Sequence, residues 1–406
     1  MPETFKSRSQ RQTYGAVVRE LRGLGYAGDL LVEDYCFADW FAVDTPERKI
    51  PAAAFGQTPP SSDTACLAVL LSNGENGRGL VKQSRALGAP FALEVDERSV
   101  SYWLVGHTDE KTRLVERFDL GDVDAAFKKH ADEWRPKSIL RAKNIASKPT
   151  PLQRQLFDYE LLPELEHKIR ETLDPMVKKA CSVAVNAYRK STGRQPDERK
   201  LFRLAFWLLA GKVFCDRRIH GFVSLKKKSS ADQVLQRVAR HYHEQLPSLL
   251  NQTARKAVYD IIWSGFDFRN LSIDVLTQLW TTTFVSEEVR KGLGIHATPR
   301  SIAKYIVDNL PFEDIPPESQ FVLEPCCGSA TFLTAALQRL RDQLDHKCEP
   351  KHRHQYLKDH LVGFEKEAFG IEISRLRLTL ADFPEPNGWQ LYCLASHGTG
   401  ILVCLG

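Results

Sequence analysis

Long apolar runs, an export signal and cysteine pairs with C-x-x-C spacing are all missing from this sequence. No apolar stretch reaches the roughly 18–20 residues that a membrane helix requires. The N-terminal segment MPETFKSRSQRQ is polar and has no signal-peptide core. The nine cysteines include no C-x-x-C pair, and an odd number without an export signal is typical of reduced thiols. We therefore expect a cytoplasmic protein with no membrane partner.

The glycine fingerprints of common nucleotide sites are missing as well. Residues 321–333, FVLEPCCGSATFL, contain one glycine, and so match neither the three-glycine dinucleotide fingerprint nor a phosphate loop. A nicotinamide-dependent oxidoreductase is therefore disfavoured. The 406 residues allow two or three domains, and the 43% hydrophobic content supports a core. The net charge of +5 permits a nucleic-acid partner without requiring one.

The segment FVLEPCCGSATFL is nevertheless the most informative part of the chain. Phe321–Leu323 is a short apolar run typical of a buried parallel strand, which Glu324 and Pro325 end. Gly328 and Ser329 form a turn, and leucines at helical spacing follow at positions 333, 337, 340 and 344. A strand, a turn and a helix N-terminus place backbone N–H groups beside a polar ligand, with an acid at the strand end. This pattern favours an S-adenosylmethionine pocket over a phosphate pocket.

Two further segments flank this one. GIHATPRSIAKYIV, residues 294–307, predicts a helix with Thr298 as N-cap, Pro299 at the first helical position and one apolar face. LVGFEKEAFGIEISRLRLTLAD, residues 361–382, predicts a second strand that ends at Gly363–Glu365, followed by a helix. A carboxylate at the tip of that strand can accept hydrogen bonds from both ribose hydroxyls of a nucleoside cofactor. Glu365 is in that position.

The order and spacing of the three segments resemble the N6-adenine DNA methyltransferases of restriction-modification and phage-defence systems, of the type I and type IIG kind. GIHATPRSIA resembles their motif X, G-x-[YF]-T-P, and EPCCGSATFL resembles motif I, D-P-A-C-G-S-G-T-F. GFEKEAFGIEIS resembles motif II and the start of its helix. The resemblance is strong over residues 270–389, moderate in the preceding helical region and weak before residue 120.

The resemblance implies S-adenosylmethionine as the cofactor and assigns its contacts residue by residue. Motif X residues line the methionine part, motif I supplies the strand-end acid and the turn, and Glu365 holds the ribose. The implied cofactor-binding residues are His296, Thr298, Pro299, Glu324, Pro325, Cys327, Gly328, Ser329, Thr331, Phe332 and Glu365. Ala330 replaces the second glycine of motif I and Ala297 replaces the aromatic residue of motif X, which predicts a narrower pocket and a weaker contact.

The motif that holds the target base is missing. The family flips adenine out of the duplex and binds its amino group with an (N/D)-P-P-(Y/F) loop after motif II. The two Pro-Pro pairs of this chain, in TPPS and IPPE, have other flanks and precede motif I. No catalytic residue is therefore assigned. We expect the N-terminal portion of an adenine-N6 methyltransferase, truncated or out of frame near its end and inactive alone. The alternative is a non-catalytic DNA-binding or interaction protein derived from such an enzyme.

The predicted fold class is α/β, in four segments. Residues 1–125 form an α/β module whose element order resembles the PD-(D/E)xK nuclease-like core, but its strand ACLAVLL has neither Glu nor Lys, so the module is expected to be degenerate. Residues 126–150 are a basic linker, and 151–290 a helical domain. Residues 291–406 are the N-terminal part of a Rossmann-like, S-adenosylmethionine-dependent methyltransferase domain with motifs X, I and II.

Two charged or metal-ligating segments leave alternatives open. Seven basic residues surround Trp134 and could follow a phosphate backbone or solvate a linker. They are Lys128, Lys129, Arg135, Lys137, Arg141, Lys143 and Lys148. His346, Cys348, His352 and His354 could ligate zinc, but their spacing matches no established zinc pattern, and no metal is predicted. The partners implied by the resemblance are double-stranded DNA and specificity or restriction subunits.

Overall fold

The structure is a computed structural model that describes residues 5–72, 77–143, 152–153, 156, 161–225, 229–243, 245–246, 248–272, 275, 298–344, 348–382 and 387–393. The chain divides into two compact units, Met1–Ser286 and Glu287–Gly406. Strands and helices occur in both, so the predicted α/β class is confirmed.

The first unit begins with a six-stranded mixed sheet and the helices that cover it. Its strands are β1 Leu31–Ala38, β2 Glu47–Phe55, β3 Ala65–Leu71, β4 Phe91–Val95, β5 Ser99–Leu104 and β6 Arg113–Asp119. The accompanying helices are α1 Arg8–Gly23, α2 Gly77–Gln83, α3 Val123–Lys129, α4 Ala131–Trp134 and α5 Pro136–Lys143. The strands lie in sequence order, and only the β3–β4 pair is parallel.

The strand ACLAVLL named in the sequence analysis is β3, and the apolar run at residues 91–95 is β4, whereas β1, β2 and β6 have no comparable sequence signal. Every residue of β3 and β4 is buried, which explains their continuous apolar runs. Strand β2 was missed because it carries three alanines, which have little β propensity. Strand β6 is mostly exposed and charged. The likeness of this module to a nuclease core stays a prediction.

The segment expected to be a basic linker is folded where the structure describes it. Residues 126–143 form most of α3, α4 and α5, and the side chains of Trp134 and Ile139 are fully buried in the core of the module. Lys128, Lys129 and Arg135 lie within 4 Å of acidic side chains, so much of the positive charge is paired. The linker prediction was therefore wrong for this part, because the burial of one aromatic and one aliphatic side chain, Trp134 and Ile139, outweighs the polar composition of the segment.

The second part of the first unit is helical. Its helices are α6 Leu161–Thr192, α7 Glu198–Asp216, α8 Ala231–His241 and α9 Gln252–Trp263. Helix α7 is a buried core helix, as its apolar sequence predicted. The buried side chain of Asn270 joins this part to the sheet module, since it donates to the carbonyls of Ala86 and Leu87 and accepts from the Tyr35 hydroxyl. In the described part of the chain no helix has the length and hydropathy to cross a membrane.

The second unit is built on a parallel three-stranded sheet in the order β7-β8-β9. Its strands are β7 Val322–Glu324, β8 Leu361–Glu365 and β9 Gln390–Cys393. Its helices are α10 Arg300–Asp308, α11 Thr331–Gln343, α12 Pro350–His360 and α13 Ala368–Ala381. Helices α11 and α13 follow β7 and β8 along the chain, which gives the repeating strand–helix connection of parallel sheets. Strand β8 ends at Glu365, as predicted.

Two details of this unit differ from the prediction. Strand β7 is parallel but not buried: its Leu323 is 49% exposed, and Phe321, which the sequence placed in the strand, precedes it and is 65% exposed. Helix α10 begins at Arg300, and Pro299 is its N-cap, since the backbone ψ of Pro299 (137°) is not helical. The expected apolar face of α10 is divided: Ala303 and Val307 are buried, whereas three other members are about half exposed. These are Ile302, Ile306 and Leu310.

Candidate cofactor site at the carboxyl ends of two strands

Two carboxylates end neighbouring parallel strands. Glu324 is the last residue of β7 and Glu365 is the last residue of β8, and Glu324 is paired in register with Gly363. The carboxyl ends of parallel strands meet at one edge of the sheet, where open α/β sheets bind their ligands. The sheet therefore brings together the two acids that the sequence analysis placed at strand ends.

The loop between β7 and α11 is fastened to β8 through its backbone. The N–H of Cys327 donates to the carbonyl oxygen of Phe364 over 2.8 Å. Gly328 has φ of 53° and Ala330 has φ of 58°, so both occupy the left-handed region. Glycine adopts this conformation at no steric cost, but an L side chain pays about 1–2 kcal/mol. Ala330 therefore strains the turn where the resembling motif has glycine.

Glu365 holds the middle of this loop and retains acceptor capacity. Its Oε2 accepts from the N–H of Gly328 over 2.8 Å, and its Oε1 accepts from the N–H of Glu367 over 2.9 Å. A carboxylate has about four lone-pair sites, so each oxygen keeps one site for a further donor. Gly370 makes room for this side chain, because a Cβ there would lie 2.8 Å from Glu365 Cγ. The geometry therefore allows a diol ligand to be held at Glu365.

Glu324 performs a different local task. Helix α11 has Ala330 as its N-cap and no side-chain cap of its own. The Oε2 of Glu324 instead accepts from the N–H of Leu333 over 3.2 Å, so a strand-end carboxylate satisfies one of the free N–H groups of the helix. Burial raises the pKa of Glu324 from 4.5 to about 7; the Leu333 N–H and Arg377 act in the opposite direction, and Glu365 adds to the rise.

Three residues of α13 that sequence analysis did not select also form this site. Gly370 accommodates Glu365, Ser374 Oγ donates to the carbonyl oxygen of Gly328 over 2.7 Å, and Arg377 contacts Ser329 and Thr331. Ser374 is fully buried and Arg377 is 4% exposed. The available sequence signal was weak: a serine and an arginine, three residues apart, on a helix that also carries Glu372 and Arg375.

The other predicted cofactor residues are placed as follows. Cys327 is buried and Ser329 half-buried in the loop, while Pro325 is exposed beside it. Burial raises the pKa of the Cys327 thiol to about 12, and its hydrogen bond with Ser374 opposes that rise. Thr331 and Phe332 open α11, as predicted. Thr298 and Pro299 precede α10, which packs against α11, and their role stays a prediction. His296 lies outside the described residues.

The zinc alternative gains no support from the described residues. No group of three or more His, Cys, Asp or Glu side chains among them is arranged to hold a metal ion. His354 instead places Nδ1 2.6 Å from Asp382 Oδ2 and Nε2 2.7 Å from the carbonyl oxygen of Asn387. Arg341 contacts the other oxygen of Asp382 over 3.0 Å, which makes this a buried network joining three elements. His346 lies outside the described residues.

Residues 274–387 match the N-6 DNA Methylase family. The match spans 114 of the 406 residues. The resemblance seen in the motifs is thus confirmed for the segment, and the N-6 DNA methylase segment contains both strand-end carboxylates, the loop between them and helix α13. No curated protein matches the chain.

Several solved structures are similar to the chain at low identity. The DrdV–DNA complex is 14% identical with a TM-score of 0.36, over 92% of this chain and 38% of that one. A modification subunit from a type I restriction enzyme of Vibrio vulnificus YJ016 is 15% identical with a TM-score of 0.38, over 54% of this chain and 55% of that one. The type IIG endonuclease BpuSI is 11% identical with a TM-score of 0.33, over 96% and 43%. The chain spans about two fifths to just over half the length of these proteins.

Proposed function

We propose that the second unit is the S-adenosylmethionine-binding part of an adenine-N6 DNA methyltransferase. The observation that carries this proposal is the arrangement of Glu365: a carboxylate at the tip of a parallel strand, fixed by the Gly328 N–H, with one acceptor site left on each oxygen. The family match of residues 274–387 supports a DNA methylase over other users of nucleoside cofactors.

The residues of the site suit this cofactor. The two free acceptor sites of Glu365 match the two ribose hydroxyls. The cofactor carries positive charge on its sulfonium and its ammonium group, and the strand-end acids Glu324 and Glu365 are negative groups that favour such a ligand. Because residue 370 is glycine, no Cβ atom displaces the Glu365 side chain from this position.

When bound, the cofactor supplies an electrophilic methyl group for transfer to the exocyclic nitrogen of adenine. The residues of this chain bind and orient that donor: Glu365 holds the ribose, the Cys327–Ser329 turn borders the methionine part, and Glu324 anchors the helix that follows. Alignment of donor and acceptor lowers the barrier without a covalent enzyme intermediate. The proposed partner is double-stranded DNA, together with specificity or restriction subunits of a restriction-modification or phage-defence system.

Isothermal calorimetry with S-adenosylmethionine tests the cofactor proposal. We expect the wild-type chain to bind and Glu365→Ala to lose binding by at least tenfold, because the ribose hydroxyls lose their acceptor. Glu318→Ala, an exposed glutamate of the same unit, is the matched control and should bind like wild type. No cofactor-dependent heat from a folded wild-type chain would refute the proposal.

A second candidate function is a non-catalytic DNA-binding or interaction protein derived from such an enzyme. The observation that favours it is the absence of an (N/D)-P-P-(Y/F) tetrapeptide from the 406 residues. We propose that these residues, assayed alone, bind the cofactor and do not methylate. Incubation with double-stranded DNA and radiolabelled methyl donor decides the point. Label in the DNA would refute the proposed inactivity, whereas cofactor binding without label supports it.

A further inference from the structure

Arg377 is a buried cation beside the candidate cofactor loop. Its side chain extends from α13 and is 4% exposed. One terminal nitrogen, Nη1, donates to Thr331 Oγ1 over 2.9 Å and to the carbonyl oxygen of Ser329 over 3.3 Å. Arginine is planar and always charged, so it can bind two acceptors and carry charge into a buried place at once.

Ser374 contacts the same loop from one turn earlier on α13. Its Oγ donates to the carbonyl oxygen of Gly328 over 2.7 Å. Residues three apart lie on the same face of a helix, so Ser374 and Arg377 form a pair of donors beneath the loop. The loop is therefore held on two sides: its Gly328 N–H donates to Glu365, and its Gly328 and Ser329 carbonyl oxygens accept from α13.

Arg377 also acts on Glu324 through its charge. Four groups face Glu324 from the elements around it: the Arg377 guanidinium on α13, the Glu365 carboxylate on β8, the Leu333 N–H on α11 and the Cys327 thiol in the loop. Of the four, only Arg377 brings a full positive charge. It therefore opposes both the burial of Glu324 and the repulsion from Glu365.

We propose that Arg377 is a positioning residue of the methyl-donor site, which holds the loop at Ser329 and Thr331 and acts on the Glu324 carboxyl through its charge. This inference rests on the proposed function for the ligand, while the contact between Arg377, the loop and Glu324 can be measured without a ligand. The ligand class is a cationic nucleoside cofactor, since an anionic Glu324 favours a sulfonium and an ammonium group.

The proposal leads to a specific pH dependence. Burial raises the pKa of Glu324 to about 7 against the lowering effect of Arg377, so the ionisation of this carboxyl in the wild-type chain changes around neutral pH. Without the Arg377 charge, the pKa of Glu324 is no longer lowered by that cation and therefore moves upward. Cofactor affinity should therefore rise with pH through about 7 in the wild-type chain. In a variant that lacks the Arg377 charge, the same rise in affinity should occur at higher pH.

Calorimetry with S-adenosylmethionine between pH 6 and 9 compares Arg377→Gln, which loses the charge, with Arg377→Lys, which keeps it and loses the planar fork. We expect Arg377→Gln to shift the midpoint of the affinity profile upward by about one unit, which is about a fivefold loss of affinity at neutral pH. Arg377→Lys should keep the wild-type midpoint and bind several-fold more weakly at every pH. Arg375→Gln, on the same helix, is the matched control and should keep the wild-type profile.

A measurement without cofactor separates this inference from the proposed function. Glutamate labelled with carbon-13 at the side-chain carboxyl reports the titration of Glu324, and its resonance is identified by its loss in Glu324→Gln. We expect Arg377→Gln, but not Arg377→Lys, to raise the Glu324 midpoint. Equal midpoints in wild type and Arg377→Gln would overturn the positioning role, whatever the cofactor does. A wild-type chain that shows the coupling but binds no S-adenosylmethionine would refute the proposed function and the ligand class, and leave the role in the loop intact.

Discussion

The carboxylate of Glu324 accepts a hydrogen bond from the backbone N–H of Leu333 over 3.2 Å, so the last residue of β7 caps the helix that follows it. Helix α11 has no cap of its own, because its N-cap residue is Ala330. One side chain thus ends a strand, begins a helix and borders the loop between them. The same residue has a raised pKa, which makes its ionisation measurable in the physiological range.

Glu324→Gln is expected to stabilise the second unit at alkaline pH only. The folded-state pKa is about 7 against an ordinary 4.5, so the stability linked to the neutral carboxyl is fully present below 4.5 and is lost as pH rises through 7. Glutamine is neutral at every pH and can still accept from Leu333. We expect a gain of roughly 1 kcal/mol at pH 8, since partial exposure reduces the effect, and none near pH 4. Hydrogen exchange of the α11 amides measures it; an equal effect at both pH values would contradict it.

Ala330→Gly is expected to stabilise the turn before α11. Ala330 has φ of 58°, where glycine avoids a steric cost of about 1–2 kcal/mol. Part of that gain is offset by the greater backbone freedom of glycine in the unfolded chain, so about 0.5–1 kcal/mol should remain. Ala335→Gly, inside α11, is the matched control and should destabilise by about 1 kcal/mol. Thermal unfolding of both variants measures whether each substitution raises or lowers stability. A loss of stability in Ala330→Gly would exclude strain at this position.

Gly370→Ala is expected to weaken cofactor binding without unfolding the chain. The new Cβ would lie 2.8 Å from Glu365 Cγ, closer than real Cβ atoms approach, so the Glu365 side chain has to move. A displacement of about 1 Å of a binding group commonly costs on the order of 100-fold in function, and we expect at least a tenfold weaker affinity for S-adenosylmethionine. Gly15→Ala, where the added Cβ meets nothing within 4 Å, is the control. Unchanged affinity in folded Gly370→Ala would show that the position of Glu365 does not matter.

Trp134→Ala tests whether the basic segment is part of the folded module. The Trp134 side chain is fully buried and packs edge-on against Tyr102 and Phe127. Truncation of a buried tryptophan typically costs about 3–5 kcal/mol. Denaturant unfolding of the first unit should show a loss of this size. Lys137→Ala, an exposed residue of the same segment, should stay within about 0.5 kcal/mol of wild type. A small effect at Trp134 would restore the linker interpretation.

Much of the site could be predicted because its signals are local. An apolar run, an acid and a glycine turn mark the end of a parallel strand, and this pattern located β8, the start of α11 and the acids Glu324 and Glu365. Local signals failed in strands whose side chains are mostly small or mostly exposed. Strand β2, with its three alanines, and the exposed edge strand β6 carry no clear period-two pattern.

The sequence by itself determined the order of the three motifs, the match of residues 274–387 to the N-6 DNA Methylase family and the acid at each strand end, since strand ends, turns and helix starts depend on near neighbours. Only the tertiary structure decided that Ser374 donates to Gly328, 46 residues earlier, and that Arg377 donates to Ser329, 48 residues earlier. It also decided that Glu365 accepts from the Gly328 N–H. Those contacts depend on how α13 is rotated and how it crosses the sheet. Both are set by packing between elements far apart in the chain.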